Sequence, residues 1–418
     1  MNEILKKNFT LITLSKNIRP SLFLLIAACV VYIFSFMERV HFVDDSWLGE
    51  HAYWLSVEGY VKSDLFAPLL DYKNQLFVYH KLFTYTTTLF VHTLGFGLLE
   101  IRILVFLSLA TIIGIIIKHN KWFSLDRNQS LVAASFILLN PILLNYGTIY
   151  RPELMVTMLG LASYLALHKF LDRRHNRHLF FSSLFAGLAT LTHLNGVIFI
   201  AAGVILLFAR KQAYQGIAYG LIATLVITFY FTDVVVCQAW DTFLYQFVND
   251  PALFHKEKSI WANIIYLFDD HKRWFHDVWI SIFSICSFLL AGVWLSKYMS
   301  SLKLDNLLVY TLLLAIFLAF ISPLNTTKYT IYIIPFISIL WCRALSRIGN
   351  LKSVQLILTA YLISGVVQSV FIVVQPKRSF QEIRPIVQPG ARIIAPMEVL
   401  FEEMNPSFHL GLHYAIHF

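Results

Sequence analysis

The chain has 418 residues, of which 58% are hydrophobic and only 14% charged. Soluble globular proteins carry roughly 25% charged residues, so this chain lacks the polar surface to be wetted all round. Its net charge of +9 lies in short basic clusters between apolar runs; without a continuous basic stripe interleaved with aromatics, nucleic acid is excluded as a partner. The cysteines (Cys29, Cys237, Cys286 and Cys342) form neither a metal-ligand spacing nor a disulfide framework.

In chain order, the first apolar run spans residues 20–37 and is long enough to cross a bilayer. No A-x-A-like cleavage site follows, so it reads as a retained helix and not as a signal peptide. Lys6, Lys7, Lys16 and Arg19 precede it, which places the N-terminus in the cytoplasm and residues 38–75 outside. Further spans are expected near 99–117, 130–147, 154–168, 179–193, 196–209, 216–232, 277–296, 305–321, 330–345 and 353–374. The chain is therefore an all-α polytopic membrane protein with about eleven transmembrane helices. The clusters Lys118/Lys121/Arg127, Arg173/Arg174/Arg177, Arg210/Lys211, Lys297/Lys303 and Arg343/Arg347/Lys352 then all fall on the cytoplasmic side. Residues 76–98 do not fit this parity as a full span; with His80, Lys81, a Thr-rich turn and His92, they are expected to form a re-entrant or interfacial helix, the alternative being an ordinary second span with the 99–117 run crossing imperfectly. Residues 1–374 make the membrane domain, with large extracytoplasmic loops at 38–75 and 233–276, and residues 375–418 form a short extracytoplasmic segment.

Charges at membrane depth carry a cost, and here they gather at one set of helix ends. Asp44, Asp45, Glu50 and His51 follow the first span. Tyr150, Arg151 and Glu153 precede the 154–168 span, His193 and Asn195 sit in the turn at 193–196, and Asn325, Lys328 and Tyr329 in the turn at 322–329. All fall on the outer side, which implies one outward-facing polar cavity. Each residue also has a plainer reading. Asp44-Asp45 suits the acidic first turn of a helix, Arg151 with Glu153 suits an ion pair closing a helix end, and Lys328 suits an interfacial snorkeller.

The order of these elements resembles the GT-C glycosyltransferases that use polyprenyl-phosphate sugars, in particular the protein O-mannosyltransferase and lipid A aminoarabinose transferase branch (glycosyltransferase families 39 and 83). The resemblance covers roughly residues 15–375 through short motifs. "VDDSWLGEHAYWLSVEG" is similar to the family's acidic first loop, which implies a catalytic carboxylate at Asp44 with Asp45 in the second place. "RPELM" puts the family's later acid at Glu153, and "THLNG" puts His193 where members often carry Lys. "FLYQFVNDPALFHKEKSIW" resembles the long loop over the active site, with His255 at its polar position. "TTKYTIYIIP" gives Lys328 and Tyr329 beside the lipid phosphate. The basic-Pro element expected near residue 74 is absent; Lys73 or Lys81 could supply its cation. Trp47 stands where some members carry Arg.

The resemblance implies transfer of a sugar from a polyprenyl-phosphate donor to a hydroxyl on a lipid, glycan or protein, with inversion and with Asp44 as general base. It also implies a bacterial inner-membrane location with the site facing outward. Asp44, Asp45, Glu153, His193 and His255 have the oxygen and imidazole chemistry to hold a divalent ion, without a spacing that requires one. A transporter or flippase of lipid-linked glycans is the main alternative, but it would place charged residues inside spans and broken helices at the midplane.

Overall fold

The computed structural model describes residues 19–67, 69–250, 270–298, 305–321, 326–348 and 352–376. The helices are α1 (Arg19–Glu38), α2 (Val43–Glu58), α3 (Lys81–Leu94), α4 (Leu98–Lys118), α5 (Arg127–Leu138), α6 (Pro141–Tyr146), α7 (Glu153–Arg173), α8 (Asn176–Thr192), α9 (Val197–Ala209), α10 (Ala213–Ile227), α11 (Thr232–Val236), α12 (Trp240–Val248), α13 (His271–Trp274), α14 (Val278–Tyr298), α15 (Asn306–Ile321), α16 (Ile334–Ile348) and α17 (Lys352–Val373). Among the described residues, five helical stretches are long and apolar enough to cross a membrane, including Glu153–Arg173 and Ala213–Val236, and four shorter helices are comparably apolar. Each span expected from sequence coincides with a helix or a helix pair.

The bundle is built as a membrane protein must be, with its apolar side chains outward and small or hydroxylic ones at the contacts. On α1, Phe23 and Val30 are 75% and 62% exposed, while Ser21, Ala28, Tyr32 and Ser35 are buried. Ser35 Oγ lies 2.6 Å from Ser369 Oγ of α17, and Tyr32 donates to the Gly147 carbonyl at 2.7 Å. Ser163, Ser182 and Tyr219 similarly join α7, α8 and α10. Such bonds matter more than usual because lipid offers the backbone no alternative partner.

Three details differ from the sequence expectation. The 130–147 span is two pieces, α5 and α6, broken at Asn140-Pro141. Proline has no N–H and crowds the preceding turn, and Asn140 caps the new helix through the Ile142 and Leu143 amides. Around the break, Tyr361 of α17 donates to the Phe136 carbonyl, and Gly365, one turn later, lies against the Leu139 carbonyl with no room for a Cβ. The 216–232 helix runs on to Val236 through a 3₁₀ turn at Thr228–Phe231. The 330–345 span opens with a 3₁₀ segment, Thr327–Tyr332, before α16 starts at Ile334.

Within 76–98, α3 has 14 residues, a rise of about 21 Å. That is short of the roughly 30 Å hydrocarbon core, as is the still shorter 13-residue α9, which coincides with an expected span. Helix α3 packs beside α2, with Thr88 donating to the Ala52 carbonyl, and it hands the chain to α4 through Gly95, whose positive φ of 92° favours glycine. Residues 251–269 of the expected loop 233–276, including His255, and nearly all of 375–418 lie outside the described residues.

Candidate active site

Helix α2 opens with the acidic pair, and the two carboxylates have different surroundings. Asp45 is fully buried. Its Oδ2 receives the Phe42 amide, 2.9 Å, which satisfies the free N–H at the helix start. Arg102, one turn into α4, grips both carboxylate oxygens, at 3.1 and 2.5 Å, and the Tyr150 amide adds a bond of 2.6 Å. Arg102 also donates to the Arg39 and Val40 carbonyls, 3.0 Å each. Asp45 thus locks the end of α1, the start of α2, α4 and the segment before α7 into one unit.

Asp44 faces a different neighbour. Its side chain is 19% exposed and pairs with Arg151. Arg151 in turn is held by Glu153 through Nε, 3.1 and 3.0 Å, and Nη2, 2.7 Å. Glu153 begins α7, where a carboxylate meets the positive end of the helix dipole. The bland ion pair read from "RPE" is therefore real, yet the same guanidinium also carries Asp44. Tyr150 fixes this segment by stacking on Phe83, centroids 4.6 Å apart, and donating to Thr87 at 2.6 Å.

A second wall comes from two turns. At the α8–α9 junction, His193 is extended, and its Nδ1 accepts the Asn195 amide at 3.0 Å, which leaves the proton on Nε2. Gly196 makes this turn possible, because a Cβ there would overlap the Ala189 carbonyl. His193 stacks on His80, centroids 4.6 Å apart, and meets Tyr329 edge-on at 5.5 Å. Burial pushes both imidazoles down, His80 to about 4 and His193 well below its ordinary value, so both are neutral near pH 7. Burial also lowers the Lys328 ammonium to about 8, with Arg151 adding and Glu153 opposing. Tyr329 is pushed up to about 12 by burial and the Glu153 charge. The Tyr332 hydroxyl beside it is buried with no hydrogen-bond partner.

Asp44, Glu153, His193, Lys328 and Tyr329, distant in sequence, therefore share one polar centre. The two alternative cations do not join it. Lys81 is 2% exposed and pairs with Asp233 while lying over Tyr79 at 3.8 Å, and Lys73 is exposed on the loop surface. His255 lies outside the described residues. Among the described residues no group of three His, Cys, Asp or Glu side chains is arranged to hold a metal ion; Asp45 in particular is already engaged by Arg102 and two amides.

Residues 81–240 match the family model described as dolichyl-phosphate-mannose-protein mannosyltransferase. The whole architecture is similar to ArnT from Cupriavidus metallidurans bound to undecaprenyl phosphate, with a TM-score of 0.62 and 13% identity, covering 91% of this chain and 84% of that one. The same protein in its apo state gives 0.61 and 12%, covering 91% and 83%. The chain has the GT-C fold of those structures. No curated protein sequence matches it. The segment that matches the family model holds Arg102, Arg151, Glu153 and His193, whereas Asp44, Asp45 and Lys328 lie on either side of it.

Sequence reasoning missed His80 and Arg102 as site residues. Arg102 is one charge inside the apolar run "LLEIRILVFLSL", and a charge within a span always asks for a partner. That signal was available. His80 had none beyond being polar in an apolar segment.

Proposed function

We propose that this enzyme transfers a sugar from a polyprenyl-phosphate donor to a hydroxyl of a lipid, glycan or protein acceptor at the extracytoplasmic face, with inversion at the anomeric carbon. The observation that supports this reading best is the placement of half-buried Asp44 against Arg151, with Glu153, His193 and Lys328 around the same centre. Asp44 is the base: it takes the acceptor proton as the acceptor oxygen bonds to C1. General-base help of this kind is worth about 10²–10⁴-fold.

The C1–O bond to phosphate breaks at the same time, and its electron pair leaves on the polyprenyl phosphate. Preorganised positive groups in a dry site stabilise that charge; Lys328 and Arg151 supply them, and the His193 Nε2–H adds a neutral donor. Glu153 keeps Arg151 in place, and Asp45 acts at one remove, by fixing the backbone on which Asp44 stands. In the ArnT structure the bound lipid is undecaprenyl phosphate, which is the leaving group this scheme requires. The donor tail stays in lipid, which accounts for a site at the ends of membrane helices.

The test is Asp44→Asn in membranes supplied with a radiolabelled polyprenyl-phosphate sugar. Transfer falls at least 10²-fold while the protein inserts and purifies as the parent does. Transfer at the parental rate would remove Asp44 from the mechanism.

A further inference from the structure

The end of the bundle away from Asp44 carries a separate polar cavity of about 350 Å³, lined by Leu171, Arg174, Arg210, Asp305 and Asn306. It lies where α7 and α9 end and α15 begins. Along α7 the 21 residues from Glu153 to Arg173 rise about 30 Å, so the cavity lies one hydrocarbon thickness from the catalytic centre, at the level of the opposite head groups.

The charge of the cavity is positive. Two arginines, Arg174 and Arg210, and one aspartate, Asp305, line it, and Asp305 also pairs with Arg343, so basic groups outnumber acidic ones there. One N–H of Arg210 is anchored on the Asn306 side chain at 2.7 Å, which holds the guanidinium at the rim. The backbone carries a second, independent sign. Arg174 follows α7 with φ 60°, and Lys211 follows Arg210 at the end of α9 with φ 57°. This left-handed conformation at a helix end is where glycine is favoured, and a side chain there costs about 1 kcal/mol or more. Both helix ends at the cavity retain a basic residue in that position.

Below the rim the surface turns apolar. Ile205 and Phe208 on α9 and Leu312 and Ile316 on α15 are each between 41% and 52% exposed. Basic groups at head-group level on helices that also expose apolar side chains fit a phospholipid better than a soluble anion.

We propose that this cavity binds the phosphate head group of an anionic phospholipid, with Arg174 and Arg210 as its cations and its acyl chains against α9 and α15. The site is distinct from the donor site, and it is independent of the sugar-transfer mechanism.

Native mass spectrometry of the purified full-length enzyme tests this, with phosphatidylglycerol and phosphatidylethanolamine supplied in equal amounts. The parent should retain phosphatidylglycerol preferentially. Each neutralised arginine should weaken retention about 5-fold, and Arg174→Gln/Arg210→Gln together about 25-fold. Arg177→Gln, on the same rim but outside the cavity, should leave retention unchanged, and Arg174→Lys/Arg210→Lys should keep most of it. The charge-preserving pair decides the matter if the Gln variant does not fold. Equal retention of both lipids, or retention untouched by the double Gln variant, overturns the proposal. So does displacement of the lipid by millimolar inorganic phosphate, which would identify a soluble anion as the ligand.

Discussion

Replacing Arg102 by Met tests whether the first loop is held by a buried ionic lock. Arg102 is 3% exposed and Asp45 not at all. The substitution keeps the side-chain length in the apolar helix but strands a carboxylate, and it also removes the donors to the Arg39 and Val40 carbonyls. Breaking a buried pair from one side costs about 3–5 kcal/mol, mainly because the remaining charge has lost its partner. Folded proteins hold only about 5–15 kcal/mol in total, so the variant should be barely stable. Asp45→Asn should also destabilise, since it leaves Arg102 without its anion. If the lock is the cause, the double variant Arg102→Met/Asp45→Asn should lose less than the sum of the two by about 2–3 kcal/mol. Denaturant titration in detergent micelles, followed by Trp fluorescence, measures all three. A loss below about 1 kcal/mol for Arg102→Met, or strict additivity of the pair, would refute the reasoning.

Donor binding should weaken as pH rises through about 8, because that is where Lys328 loses its proton and with it the attraction for phosphate. Lys328→Arg stays charged throughout, so its donor KM should be flat there; an unchanged alkaline limb in that variant would contradict the assignment. Gly196→Ala should force the α8–α9 turn away from the Ala189 carbonyl. Thermal unfolding should show a loss of about 1–3 kcal/mol, and transfer should fall further as His193 leaves His80. Lys81→Met should cost about 2–3 kcal/mol, discounted from the buried-pair range because Asp233 is 18% exposed. Lys73→Ala should stay within about 0.5 kcal/mol of the parent in the same unfolding assay.

Much of this was legible in the sequence, for a physical reason. Apolar runs of membrane length announce themselves, and polar residues stranded at their ends cannot be decorative, so Asp44, Glu153, His193, Lys328 and Tyr329 were found without any contact information. What could not be read was pairing across the chain. Lys73 and Lys81 look alike in "YKNQLFVYHK"; only the fold brings Asp233, 152 positions away, to Lys81. The separate fates of Asp44 and Asp45 depend likewise on Arg102 and Arg151 arriving from different helices. The break at Asn140-Pro141 is another matter. That dipeptide is a recognised interruption, and it was hidden by the apolar residues on both sides.

That break also bears on how the protein is made. The carbonyls it exposes belong to the first third of the chain, yet the groups that cover them, Tyr361 and Gly365, come from α17. During synthesis, α5 and α6 must therefore wait inside the bilayer, or in the insertion machinery, with backbone acceptors uncovered until some 220 further residues have been added. A premature stop before α17 would leave every side chain proposed above to act in transfer encoded and still yield a protein with an open seam in its wall. Quality-control proteases that sense polar backbone within lipid would have that seam to recognise.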